Sequence, residues 1–253
     1  MKIFVLHYSK LTHRKNHIIH ELKNHGIHDF EFIENFDKDE ITDDQCPEFH
    51  RNYIENKRSE LSLHLKHFYV YRLMMTENIE EALIFEDDVI LSDGFMKKLT
   101  EYTTQLPSDY DMLFIGDGCR LHIPEDRLVP NQYVYEKSVE VTSYGAGATR
   151  CTDSYIIHNR CATKLCNYIS TLTNTIDAPI DYWLNDAAMN TKLKVYWGEP
   201  TIVTQGSQSG MFSRSIEDPI KKEVEPIKTA TNHIPDVANN LFALDGRMNQ
   251  HRQ

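Results

Sequence analysis

The chain has 253 residues, 40% of them hydrophobic and 26% charged, which is enough apolar material for a substantial core and long enough for one large α/β domain or two small ones. Its formal net charge of -11 at pH 7 argues against a nucleic-acid backbone or an anionic membrane as partner, because both demand a positive surface. The opening apolar run Ile3-Phe4-Val5-Leu6 is too short for a signal-peptide core or a membrane span, so a cytoplasmic protein without a transmembrane segment is expected.

The first strand is expected over residues 3–6, followed by a helix over 11–25 that carries Ile18, Ile19 and Leu22 on one face and Gly26 as its stop. A second strand follows at 30–33. Residues 37–58 are polar, contain Pro47 and read as a long loop or insertion. The apolar set Leu61, Leu65, Phe68, Leu73 and Met75 predicts a helix over 60–76 with Ser59 as its N-cap.

Next comes Ala82-Leu83-Ile84-Phe85-Glu86-Asp87-Asp88-Val89-Ile90-Leu91, three consecutive carboxylates between two apolar runs. Such runs read as buried strand, so the acidic triplet should stand where a core strand reaches the surface. Three adjacent carboxylates repel one another unless water or a cation neutralises them, and hard oxygen ligands of this kind suit Mg²⁺ or Mn²⁺. A solvated turn between two strands is the plainer alternative.

Ser92-Asp93-Gly94 opens a helix over 95–106, and a strand follows at 112–115. Residues 119–150 are irregular, with a short strand at 133–135 and the flexible Gly145-Ala146-Gly147, which makes this region a candidate lid or acceptor-side wall. A strand at 154–157, helices over 160–169 and 181–189, and strands at 195–197 and 201–203 complete the order. The polar tail from Glu217 carries a candidate short helix near 237–244. A single domain spanning 1–253 is expected, α/β in class, with a mostly parallel sheet and helices on both faces. Ligands of such sheets bind at the carboxyl ends of strands, where Glu86-Asp87-Asp88 would fall. The five cysteines show no paired CxxC spacing, and reduced thiols are expected; Cys161 and Cys166 should turn to different faces of one helix.

The segments Ser59-Glu60-Leu61-Ser62-Leu63-His64-Leu65-Lys66-His67, Ala82-Leu83-Ile84-Phe85-Glu86-Asp87-Asp88 and Tyr110-Asp111-Met112-Leu113-Phe114-Ile115-Gly116 together resemble glycosyltransferase family 25. Thr152-Asp153-Ser154-Tyr155-Ile156-Ile157, Ala162-Thr163-Lys164-Leu165 and Pro179-Ile180-Asp181-Tyr182-Trp183-Leu184 continue the resemblance in order, to about Ser215. That family includes bacterial lipopolysaccharide galactosyltransferases and collagen hydroxylysine galactosyltransferases. The resemblance implies a GT-A fold, a Rossmann-like sheet whose acidic triplet plays the part of an Asp-x-Asp motif. It also implies transfer of galactose or glucose from a UDP-sugar to a hydroxyl of a glycan or hydroxylated side chain. His7 stands where the family often has Asn, and Lys66 where it often has Ser.

A metal bridging both phosphates of the leaving UDP would stabilise its growing charge. By analogy with the Asp-x-Asp motif, Asp88 and Glu86 are the expected ligands of Mn²⁺ or Mg²⁺, with Glu86 also facing the ribose or a metal-bound water. His233 is the available third ligand. Asp87 alternates to the opposite face, as a donor contact or a structural group. His7, Tyr8 and Arg14 follow the first strand, where a GT-A fold receives the nucleotide; Arg14 reads equally as a solvated helix charge. Gln205 and Ser207, in the small and amide-rich 204–210 segment, suit sugar hydroxyls, or form a flexible exit from the last strand. Asp181 is the candidate base of an inverting transfer, and otherwise an N-cap; Asp153 and Asp117 are weaker candidates. Glu60 and His67, seven apart on one helix, read as internal support. Two alternatives from other classes remain: a non-catalytic glycan- or nucleotide-sugar-binding module of the same fold, and a nucleotidyltransferase, which would normally show a glycine-rich phosphate loop where this chain reads His7-Tyr8-Ser9-Lys10-Leu11-Thr12.

Overall fold

In strand β1, Lys2–Leu6, Phe4 and Leu6 point to one face and Val5 to the other, and all three are buried, so the sheet must be covered on both sides. The computed structural model describes residues 1–140 and 147–212. The chain divides into two units, Met1–Ile220 and Lys221–Gln253; the second lies outside the described residues, as do the 237–244 helix, the rest of the tail from Glu217, His233, and Gly145 and Ala146.

Helix α1, Thr12–Asn24, packs Ile18 and Leu22 inward and ends as expected at Gly26, whose φ is +76°. The Ile27 N–H donates to the Leu22 carbonyl at 2.9 Å and the Gly26 N–H to Lys23 at 3.0 Å, the paired bonds of a Schellman stop. Strand β2, Glu31–Ile33, lies parallel to β1. The expected 37–58 loop is partly helical: a 3₁₀ turn at Asp43–Gln45 and helix α2, Arg51–Asn56, whose Tyr53 and Ile54 reach the core. Helix α3, Arg58–Thr76, begins two residues earlier than the sequence suggests. Lys57 therefore occupies the cap position, and Ser59 is inside the helix.

Strand β3, Glu81–Glu86, ends at the first acid of the triplet. A turn at Asp87 and Asp88 then leads to β4, Val89–Leu91, which leaves the main sheet to pair with β9, Val203–Gln205. Helix α4, Phe95–Thr103, is followed by β5, Met112–Phe114; β6, Val134–Lys137; β7, Ser154–His158; and helices α5, Asn159–Ile169, and α6, Ile180–Thr191. Strand β8, Val195–Gly198, and the four-residue helix α7, Gly206–Ser209, complete the described chain. The last strand is shifted two residues beyond the expected 201–203, and part of the expected flexible 204–210 exit is ordered as β9 and α7. Cys161 and Cys166 lie on one helix, α5, as expected, and both are buried.

The main sheet has seven strands in the order β2-β1-β3-β7-β5-β8-β6. Strands β1, β2, β3, β5 and β8 run the same way, β7 is antiparallel between β3 and β5, and β6 is antiparallel at the edge. One core cluster joins α3, α5 and α6 to one face; the other joins α1 and α4 to the opposite face. Among the described residues no helix is long and apolar enough to cross a membrane.

The reversed strand matters for chemistry. Because β7 is antiparallel, its first residues meet the carboxyl ends of its neighbours. The Glu86 N–H donates to the Asp153 carbonyl at 2.8 Å, and the Ile115 N–H to Ser154 at 3.2 Å. An acid that precedes β7 is thereby brought to the edge where β3 delivers its own acids.

Candidate active site

An open cleft of about 560 Å³, part of it continuous with solvent, lies at the carboxyl ends of β1 and β3. His7, Tyr8 and Arg14 line it beside Glu86 and Asp87, so five of the residues singled out from the sequence converge there. Lys38, Ser59, Ser62 and Lys66 form the other wall.

Asp87 is the anchor of the nearer wall. Its carboxylate accepts from His7 Nδ1 at 2.7 Å and from Arg14 at 2.9 Å, with His7, Arg14 and Asp87 all buried. Burial alone would raise its pKa, but the His7 hydrogen bond and the Arg14 charge outweigh burial and hold the carboxyl below the usual range. Both oxygens are thus engaged by protein, and the two side chains that line the cleft are fixed by them. Across the cleft, buried Lys66 reaches Asp37 at 2.8 Å and the Asn35 carbonyl at 2.7 Å, while the Ser9 N–H and hydroxyl also bond Asp37. Despite burial, these donors lower the Asp37 carboxyl, and they hold the 37–39 turn against the end of β1. The Tyr8 hydroxyl donates to Asp39 at 2.5 Å, and Lys38 lies 5.0 Å from the centre of the Tyr8 ring.

The remaining acids are satisfied less well. Asp88 Oδ2 lies 3.3 Å from the Ser207 N–H and 3.6 Å from Arg14, but its buried Oδ1 has no hydrogen-bond partner. The Asp88 carbonyl accepts from the Gly206 N–H at 2.7 Å, and a Cβ on Gly206 would sit 3.0 Å from that oxygen and 2.6 Å from the Phe212 ring. A glycine is therefore required where α7 crosses the acidic turn. Ser207 is so placed beside Asp88, whereas the Gln205 side-chain oxygen accepts from the Gln208 amide.

Asp153 is buried, accepts from its neighbour Ser154 at 2.9 Å and leaves Oδ1 without a partner. Burial, with the Asp88 charge added, pushes its carboxyl up to about 7. Burial and the Asp88, Asp153 and Asp87 charges also raise Glu86 well above the carboxylate range, against one hydrogen bond from Thr152 at 3.2 Å. A Cβ on Gly116 would lie 2.0 Å from Asp153 Oδ2, so that carboxyl sits directly on the backbone at the end of β5.

These orphaned and mutually repelling oxygens have the chemistry of a hard-cation site. Among the described residues, however, no group of three or more His, Cys, Asp or Glu side chains is placed to hold a metal ion by itself. The fit is that of a partial shell, which suits an ion completed by ligand phosphates and water.

Asp181 stands apart from the cleft lining, in the first turn of α6. Its Oδ1 accepts from the adjacent Tyr182 N–H at 3.0 Å, and the Thr149 hydroxyl donates to its carbonyl at 3.3 Å. Burial, with the Glu60 charge added, raises its carboxyl. Glu60 itself accepts from Tyr53 and Lys57, and His67 bonds the Tyr155 hydroxyl at 2.7 Å, so these two residues serve different neighbours. Sequence reasoning passed over the Asp37–Lys66 pair as a site element. Its partners lie 29 residues apart, and no local spacing connects them.

No curated protein matches the chain. Among solved structures, a glycosyltransferase involved in the glycosylation of the major capsid of PBCV-1 is similar at 10% identity, over 79% of this chain and 95% of that chain, with a TM-score of 0.38. A family model described as "Glycosyltransferase family 25 (LPS biosynthesis protein)" matches residues 1–184.

Proposed function

We propose, from the premise that this chain belongs to glycosyltransferase family 25, that it transfers a hexose, galactose or glucose, from a UDP-sugar to an acceptor hydroxyl with inversion in a GT-A-type site. The observation that carries the finer reading is an open cleft at the carboxyl ends of β1 and β3, lined by Glu86 and Asp87, with the partnerless oxygens of Asp88 and Asp153 on the residues that adjoin this lining. A nucleoside diphosphate brings the opposite need: an apolar and polar wall for its base and ribose, and positive charge for its phosphates.

In this reading His7 and Tyr8 face the nucleoside, and Asp87 acts through His7 and Arg14 by fixing their positions. Asp88 and Glu86 would hold Mn²⁺ or Mg²⁺, with Asp153 adjoining. When bound, the ion supplies a Lewis acid for the departing diphosphate. Ser207 and Gln205, on the segment that crosses the acidic turn, lie on the sugar side. An acceptor hydroxyl is far too weak an acid to react unaided at neutral pH, so a carboxylate must take its proton as the new bond forms. Asp181 is assigned that role: its raised carboxyl is a stronger base than an ordinary solvated one, and Thr149 and Tyr182 hold it in place. The acceptor is a glycan or a hydroxylated side chain.

Release of UDP from a panel of UDP-sugars, with Mn²⁺ and with chelator, tests this reading without knowledge of the acceptor. One sugar should be turned over slowly and only with metal. Asp181→Asn should leave donor binding unchanged and reduce transfer to acceptor by at least about 100-fold, the scale expected of a lost general base. A panel silent under every condition would favour the binding module, and full transfer by Asp181→Asn would remove that residue from the mechanism.

A further inference from the structure

Outside the acid cluster, the most unusual local geometry belongs to two cysteines. Cys119 lies in the 3₁₀ turn Gly118–Arg120 with φ +57°, and Cys151 precedes β7 with φ +99°. Both are non-glycine residues in the left-handed region, which side chains rarely occupy without a compensating contact. Their sulfurs stand 3.2 Å apart across 32 residues of sequence. The two backbones are pressed together at the same place: a Cβ on Gly118 would fall 1.7 Å from the Arg150 carbonyl oxygen and 2.6 Å from Cys151 Cβ. Cys119 is exposed, whereas Cys46, Cys161 and Cys166 are buried.

We propose that Cys119 and Cys151 form a reversible disulfide, made by exchange with a small-molecule disulfide, that staples the turn after β5 to the segment entering β7. The solvent-exposed Cys119 thiolate attacks one sulfur of the small disulfide, forming a mixed disulfide and releasing one thiolate. The Cys151 sulfur, after losing its proton to solvent, then attacks the Cys119 sulfur and expels the second thiolate. Two protein thiols are oxidised by two electrons, and one small disulfide is reduced to two thiols. At 3.2 Å the sulfurs have only about 1 Å left to close to reach a disulfide bond length. Burial and the Cys119 neighbour raise the Cys151 thiol, which assigns the first attack to Cys119 and the resolving attack to Cys151.

The bond would join segments next to the acids. Cys151 is followed by Thr152, which donates to Glu86, and by Asp153; Arg150, just before it, reaches the carbonyls of Gly116 and Gly198. The crosslink thus fixes the rim from which β7 enters the site, and its existence does not depend on which donor or acceptor the site takes.

Peptide mapping of the full chain after incubation with oxidised glutathione, against a dithiothreitol-treated control, with alkylation of remaining thiols, tests the proposal. The oxidised sample should contain a linked Cys119–Cys151 peptide pair with the mass of two hydrogens lost and no alkylation at either residue. Both residues should be alkylated in the control. In Cys151→Ser, Cys119 should be trapped as the glutathione mixed disulfide. Wild-type protein in which Cys119 ends as that mixed disulfide while Cys151 remains alkylatable would overturn the proposal. So would protein in which both stay alkylatable, or in which either pairs with another cysteine.

Discussion

Asp87 and Asp153 are both buried carboxylates at the same edge of one sheet, and they are kept in opposite states. Asp87 has His7 on one oxygen and Arg14 on the other and is held below the carboxylate range in spite of burial. Asp153 has one hydroxyl, an unpartnered oxygen and the Asp88 charge nearby, and it is pushed up to about 7. The difference teaches where the protein has completed its own electrostatics and where it has left them incomplete. A wall that is already neutralised serves as scaffold; a set of acids that repel one another stores a demand for positive charge.

The comparison can be broken most severely at Asp87. Asp87→Ala removes the carboxylate that holds buried His7 and Arg14; Arg14 keeps Asp88 at 3.6 Å, so the loss in unfolding free energy should be about 3 kcal/mol, the lower end for a broken buried pair. A loss under about 1 kcal/mol, measured by denaturant titration, would mean that Asp87 is not the scaffold. Asp153→Asn makes the converse case. At pH 8 in chelator the substitution exchanges an under-satisfied buried charge for a neutral amide, so stability should change by less than about 1 kcal/mol or rise. A loss comparable to that of Asp87→Ala would show that Asp153 is as well paired as its neighbour.

The smallest expected effect lies on the far wall of the cleft. The folded-state pKa of Asp37 lies below its ordinary value of 3.8, so its contribution to stability is present above about pH 4 and is lost as pH falls through the lowered value. Unfolding midpoints measured between pH 6 and pH 2 should therefore fall less steeply at the acid end for Asp37→Asn than for wild type. Equal slopes would remove the Lys66 pair from the account of acid sensitivity.

Much of this arrangement was legible in the sequence, for identifiable reasons. The apolar runs on either side of Glu86-Asp87-Asp88 read as buried strands and placed the triplet at a strand end; β3 does end at Glu86, and Asp87 and Asp88 form the turn to β4, buried rather than solvated. Gly26 marked the stop of α1, since its positive φ is a property of that residue type. The direction of β7 was not legible: Ser154 to Ile157 are buried on both faces, and a buried run reads alike in either orientation. That reversal is what brings Asp153 beside Glu86, so the importance of Asp153 emerged only with the topology. Helix α2 has six residues and two buried apolar side chains, too few for a helical period to declare itself. Lys57 rather than Ser59 caps α3 because α2 ends at Asn56 and leaves that one residue between the two helices. Asp37 with Lys66, and Cys119 with Cys151, are joined by the fold across 29 and 32 residues.

The most direct test of the central claim, that the unsatisfied acids after β3 receive a metal and a nucleoside diphosphate together, is calorimetric titration of UDP into wild-type protein and Asp88→Ala, each with Mn²⁺ and with chelator. The account predicts binding by the wild type that requires Mn²⁺, and no metal-dependent binding by Asp88→Ala that still melts cooperatively near the wild-type temperature. Equal UDP affinity in Mn²⁺ and in chelator, or unchanged metal-dependent affinity in Asp88→Ala, would contradict it.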